Sequence, residues 1–349
     1  GLLGDLLFGN RNAMIIGGII QTFGAFLIFV PNEVSFYLGI FFVSIGGGLY
    51  RPNLKAQHGK AYLDRTKLMD GGFSLLYLSY NLGAVVGMIF GALIGKMYGY
   101  RFAFLFSGGM MIISLIPFIF IKAAQVIKKV KRTSSKRNGV LKIIVILLFF
   151  GFCFTLLNLG DYPAYDLRQV LKSKEAFGIP GTYWDSLSNI AMVIAVTVIT
   201  ILWTIFHIAR RTKLLVSTIV GLLSFGTLLL LIPDHERGFQ EHHAFIYFTF
   251  ILLAGFAEAI LAPIVNSWII EYGNSKYYAI LLSLTDIPIT VISYLISYYA
   301  YSIINYSFNS PTYLGLSGMF ILVIGTAIYL LATKSSEKPT LSSKDLLDS

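Results

Sequence analysis

Glu258 is an acid in the middle of an apolar run, FAEAILAPIVNSW over residues 256–268, with Gly255 and Ala262 beside it. A carboxylate placed in hydrocarbon has to be neutralised, by a proton or by a cation such as a solute amine. Proton carriage and cation binding are therefore the two chemistries that Glu258 offers. The structural alternative is a neutral Glu bonded to a neighbouring helix. Arg51 stands before Pro52 at the end of another apolar run. Its guanidinium can snorkel to the membrane surface or bind a carboxylate. It can exchange acidic partners, but it cannot release a proton in practice. Ser74, Tyr77 and Asn81 are spaced three and four residues apart, so they share one helix face. Three hydrogen-bonding groups on one face of an apolar helix point to a cavity or to another helix rather than to lipid. Asp286, two residues before Pro288, invites the Glu258 argument more weakly.

Other groupings carry less. Gly315-Leu316-Ser317-Gly318 has the look of a membrane-protease nucleophile motif, but no later apolar run exists to supply a His. The stretch 234–243 holds His235, His242 and His243 among acids; metal ligation is open to it, but a polar external loop is the better reading. The single cysteine, Cys153, excludes an intrachain disulfide and a Cys-based metal site. No metal and no cofactor is expected.

These side chains need helices in a bilayer to position them. Of 349 residues, 56% are hydrophobic and 13% charged, with a mean hydropathy of +0.74. A soluble domain carries about 25% charged residues, and it must cover its surface with polar groups. Soluble enzymes, nucleic-acid binders and secreted disulfide scaffolds are excluded. Ten runs are long and apolar enough to span: 13–30, 35–54, 73–95, 102–121, 142–160, 184–208, 214–233, 243–270, 277–302 and 312–333. A spanning helix needs about 20 such residues, whereas a barrel strand would show about 10 in strict alternation. The expected fold class is an all-α polytopic membrane protein. Pro117, Pro263 and Pro288 fall inside runs and predict kinks.

Orientation follows from Lys and Arg in the loops. With residues before 13 on the cytoplasmic side, cytoplasmic loops hold sixteen basic residues and the opposite loops six. The formal net charge of +10 thus faces a cytoplasm and anionic lipid rather than nucleic acid. Both ends of the chain then lie in the cytoplasm, with the protein in the inner or plasma membrane. The segment 122–142 has eight basic residues and no acid, as a cytoplasmic connector between two bundles would. The expected organisation is an N-terminal bundle of four spans over 1–121, the linker 122–142, a C-terminal six-helix bundle over 143–333 and a cytoplasmic tail over 334–349.

Four stretches carry a family resemblance. The opening GLLGDLLFGNRN, with Gly1, Gly4, Asp5 and Gly9, is similar to the loop between the second and third spans of the major facilitator superfamily. FSLLYLSYNLGAVVG, residues 73–87, resembles a signature of the proton-dependent oligopeptide transporter family within it, with Asn81 and Gly83 in place and Tyr80 departing from the pattern. GGGLYRPNLKA, residues 46–56, looks like that family's Gly-x-Gly-x-x-Lys-Pro-Asn with Arg51 for Lys. Glu258 and Pro263 match the tenth family span.

The resemblance implies a two-bundle, major facilitator-type fold and two further spans before Gly1, which accounts for a count of four before the connector and six after. It implies proton-coupled symport of di- or tripeptides by alternating access, with a site near the midplane. Arg51, Tyr77, Asn81, Asn158 and Glu258 are the candidate substrate-binding residues, and Glu258 and Arg51 the proton-coupling pair. Partners would be a small peptide or other small solute, protons and membrane lipids. Peptide binders in the family have Ser where this chain has Ala262, and Trp in a span that here reads SLTDIP. Two alternatives stay open: transport of another small solute by the same fold, and a truncated or degenerate relative that transports nothing.

Overall fold

The computed structural model describes residues 1–120, 168–169, 171–173, 176–178, 184, 187–206, 208–230, 243–285, 316, 318–320 and 322–327. Among these, the structure is built from helices. They are α1 (Asn10–Phe29), α2 (Glu33–Ala61), α3 (Met69–Tyr98), α4 (Tyr100–Phe120), α5 (Leu187–Ile205), α6 (Arg210–Leu228), α7 (His243–Tyr272) and the short α8 (Tyr278–Leu284). Seven of them are long and apolar enough to cross a membrane. The chain is an integral, all-helical membrane protein. The expected spans at 142–160, 277–302 and 312–333, the linker 122–142, Cys153, Asn158 and Asp286 lie wholly or mostly outside the described residues.

α1 and α2 form an antiparallel pair joined by a tight turn, where the Asn32 side chain accepts from the Val34 N–H at 2.9 Å and caps α2. Glycine lets the two backbones touch. A methyl group on Gly46 would fall 2.5 Å from the Gln21 nitrogen and 2.6 Å from the Gly17 oxygen. One on Gly24 would fall 2.8 Å from the Gly39 oxygen. Gly17 and Gly24 on one helix, and Gly39 and Gly46 on the other, are each seven residues apart. Small residues at that repeat replace side-chain bulk with close main-chain packing, the usual source of helix association in lipid. α4 packs on the other side of α1, where Arg11 donates to the Phe118 carbonyl at 2.7 Å.

α7 is the central element. Most of its residues from Ala257 to Ile270 are buried, and it packs against α3, α5 and α6. The main core cluster gathers on it, with Phe73, Trp203, Phe225, Phe250 and Trp268 among its large members. α3 is the chief bridge between the first four helices and the later ones, lying against α5 and α7.

Helices run further than the apolar runs suggest. Arg51 does not end a span: α2 passes through Pro52 and stops at Ala61. Pro52, Asn53, Ala56 and Gly59 are buried there, so the last turns of α2 continue against protein. Arg210, Arg211 and Lys213, expected in a loop, form the first turn of α6. Lys55 and Lys60 are likewise helical. His243, read as part of an external loop, opens α7 and is buried. α4 and α7 continue through Pro117 and Pro263.

Candidate functional site

The Tyr77 hydroxyl donates to Glu258 Oε1. Tyr77 lies in the third turn of α3 and Glu258 at the middle of α7, so this bond crosses between the first four helices and the later ones. Glu258 is half-buried, between the buried Ala257 and Ala259. The Asn81 side chain turns back to the Tyr77 carbonyl of its own helix at 2.9 Å. Ser74, the third member of that stripe, is wholly buried, and its hydroxyl has no hydrogen-bond partner. Arg51 is exposed on α2, and the Tyr77–Glu258 bond does not include it. The structure therefore brings together two of the sequence-predicted residues, Tyr77 and Glu258, with Asn81 one turn away. Asn158 is outside the described residues.

A second polar centre was missed by the sequence reading. Asp70, one turn before Ser74 on α3, is buried to 6% exposure. Lys213 Nζ lies 2.8 Å from its Oδ2, and the Arg210 guanidinium lies 3.0 Å from Oδ1. Arg210 also pairs with Glu271 near the end of α7, and the Lys213 ammonium sits 4.2 Å from the centre of the Trp203 ring. Four charges from α3, α6 and α7 thus meet in a group whose formal charges cancel. The available signal was spacing: Asp70 precedes Tyr77 by seven residues and so belongs to the same helix face.

A third polar contact closes the same end. Asn10 donates to Asp5 Oδ1 at 2.8 Å and to Asn53 Oδ1 at 2.9 Å, and Lys60 bonds the Asn10 side chain. The other oxygen of Asp5 accepts from the Ile280 N–H in the first turn of α8 at 2.8 Å, where a carboxylate suits the orphan amides of a helix start. Gly59 meets Ile270 nearby; a methyl group there would fall 2.5 Å from it. At the other end of α3, Asn189 of α5 lies 3.8 Å from the Met88 sulfur.

Two helical groups joined by a hydrogen bond between α3 and α7 and by charged contacts gathered at one end resemble the two-bundle arrangement of secondary transporters. The model of the Major Facilitator Superfamily matches residues 1–286, and the chain belongs to that family. It is 31% identical over 127 residues to dipeptide and tripeptide permease B of Aliivibrio fischeri (strain MJ11), a match covering 35% of this chain and 25% of that permease. The matched stretch is thus about a quarter of the length of that curated relative. Among solved structures, a peptide transporter POT in complex with sulfate aligns with a TM-score of 0.64 and 18% identity, covering 96% of this chain and 82% of that one. The E. coli fucose:proton symporter aligns with a TM-score of 0.59 and 14% identity, covering 94% and 85%. These structural likenesses give the fold, a two-bundle facilitator-type fold. The family and these neighbours are transporters rather than enzymes.

Proposed function

We propose that the chain is a proton-coupled symporter of di- and tripeptides that works by alternating access. The observation that carries this reading is the Tyr77–Glu258 bond between α3 and α7. A carboxylate placed in hydrocarbon is neutralised by a proton or by a cation. A peptide amine and a proton both meet that need, and they compete for one carboxylate. That competition is a route for linking solute movement to proton movement. Asn81 is one turn from Tyr77 and supplies amide groups suited to a peptide backbone. Arg51 offers a guanidinium to a peptide carboxylate, and Asn158 is a further contact by resemblance. The peptide reading is supported by the permease likeness and by the motifs around Asn81 and Glu258.

The basic loops favour an orientation with the Asp5, Asp70 and Lys213 end in the cytoplasm, in the inner or plasma membrane, next to anionic lipid. A second reading, another small solute in the same site, is favoured by Ala262, which puts a methyl group where peptide-binding members of the family have a hydroxyl. Uptake of a labelled dipeptide into proteoliposomes under an inward proton gradient tests the proposal. Accumulation that collapses with a protonophore supports it. Failure to move peptide, with binding of another amine-bearing solute, favours the second reading; failure to bind any favours a relative that does not transport.

A further inference from the structure

Serine and threonine inside a helix commonly bond the carbonyl four residues back. On α3 and α5, Ser79 bonds the Leu75 carbonyl, Thr197 that of Val193 and Thr204 that of Thr200, at 2.9, 2.7 and 2.8 Å. Ser74 on α3 and Thr200 on α5 do not. Their hydroxyl oxygens are buried with no hydrogen-bond partner, and Ser74 as a whole is 0% exposed. Two contacts fix how α3 and α5, which run antiparallel, lie along one another. A methyl group on Gly71 would fall 3.6 Å from Thr204 Oγ1, and Asn189 meets Met88 at 3.8 Å. On that register Thr200 is level with Leu75–Tyr77, in the step between Ser74 and Tyr77. At about 100° per residue, Asp70, Ser74 and Tyr77 fall within about 60° on α3, and Gly71, on the α5 side, is about 60° beyond Ser74. Thr200 falls between Thr204, which meets α3, and Trp203, which meets Lys213 of α6. α7 packs on both α3 and α5, so Ser74 and Thr200 turn to one junction of three helices.

We propose that Ser74 and Thr200 hold internal water that completes a proton route from Glu258, through Tyr77, to the charged end of the molecule at Asp70. A water with about two to four polar neighbours is the usual partner of buried hydroxyls that protein leaves unbonded. Asp70 to Tyr77 is about 10 Å along the helix axis, too far for one hydrogen bond and a fit for about three or four. In the outgoing step, protonated Glu258 donates to the Tyr77 oxygen while the Tyr77 O–H gives its own proton to water beside Thr200. One O–H bond forms and one breaks at Tyr77, Glu258 is left ionised, and the excess proton moves past Ser74 by the same exchange. The bond in which Tyr77 donates to Glu258 is the arrangement that such a transfer leaves behind. The proton reaches solution beside Arg210 and Glu271, whose side chains are 20% and 36% exposed. This inference rests on the reading of Glu258 as a proton carrier and on no particular solute.

The test uses the full chain in lipid nanodiscs without peptide. Infrared spectra follow the protonated carboxyl band of Glu258, assigned by its loss in Glu258→Gln, as ordinary water is exchanged for heavy water. Ser74→Ala, Thr200→Val and the double variant should slow deuteration of that band by roughly tenfold or more. Thr204→Val, whose hydroxyl is tied to its own helix, is the control and should exchange as the parent does. Thermal unfolding supplies a second readout. Residues that share a water are coupled, so each single variant should lower the melting temperature, and the double variant by less than the two shifts together. Unslowed exchange in the double variant overturns the proposal. So do additive shifts, or single variants that raise the melting temperature, the outcome for hydroxyls that hold nothing. If Ser74→Ala does not fold, Thr200→Val against Thr204→Val decides it. Absence of a Glu258 carboxyl band at every pH overturns both this route and proton carriage by Glu258. Unslowed exchange alone leaves the peptide reading standing, and failure of peptide uptake with slowed exchange in the variants leaves this route standing.

Discussion

Tyr77 and Glu258 are 181 residues apart in the chain and share a hydrogen bond between α3 and α7. Neither helix alone explains the pair. α3 presents Tyr77 on the stripe that also carries Asp70, Ser74 and Asn81, and α7 is so buried that its one mid-helix acid must face another helix or a cavity.

Glu258→Gln should abolish uphill, proton-driven accumulation of a labelled dipeptide. Exchange of peptide down its own gradient should survive, because Gln preserves shape and some hydrogen bonding. Both assays run in the same liposomes. Parent-like accumulation by the variant would make Glu258 structural.

Tyr77→Phe removes the donor and keeps the ring. A hydrogen bond to a neutral carboxyl contributes about 0.5–1.5 kcal/mol and one to a carboxylate about 1.5–3 kcal/mol. Unfolding in detergent, compared between Tyr77→Phe and the parent, therefore reports the charge on Glu258 as well as the bond. Equal stabilities at every pH would show that the bond is not made in solution.

Arg51→Lys should retain peptide binding and strengthen proton coupling, since a desolvated lysine can give up its proton and a guanidinium cannot. The ratio of proton-driven uptake to exchange is the readout. An unchanged ratio would place Arg51 outside the coupling machinery.

Gly46→Val should destabilise the protein by about 1–3 kcal/mol or more, because the new side chain meets the backbone of α1. Gly47→Ala, next along the chain, has nothing within 4 Å of the added methyl group and should be tolerated. Thermal unfolding of the two variants separates close packing from helix propensity, which predicts a gain for both.

Cysteines in 122–142 and in 161–183 should label from opposite faces of the membrane, since eight positive charges resist translocation. Labelling of both segments from outside would reverse the orientation.

Much of the fold was legible because hydrophobic length has one meaning in a bilayer: α1, α3, α4, α5 and α7 fall on apolar runs to within a few residues at most ends. Glu258 was legible because a single acid in a long apolar run has few explanations. Tyr77 followed from spacing with Asn81 on one face. What hydropathy hides is how far a helix continues once it leaves lipid but stays inside protein. Lys213 reads as a loop cation because its run looks apolar only from residue 214, yet it opens a helix and is 6% exposed. Its pairing with Asp70 spans 143 residues, and no local period reports a contact at that distance. Asp70 itself was within reach, two turns before Tyr77 on a stripe already drawn.

The paired glycines of α1 and α2 also decide what can bend. Main chain pressed on main chain, at Gly17 against Gly46 and Gly24 against Gly39, leaves little room at those points for side chains to slide or re-pack. The two helices form one stiff lever some 30 Å long, the length of a 20-residue helix. Asn53 is attached near one tip and the Asn32 turn forms the other. A displacement at the Asp5–Ile280 contact, passed through Asn10 to Asn53, would turn α1 and α2 together.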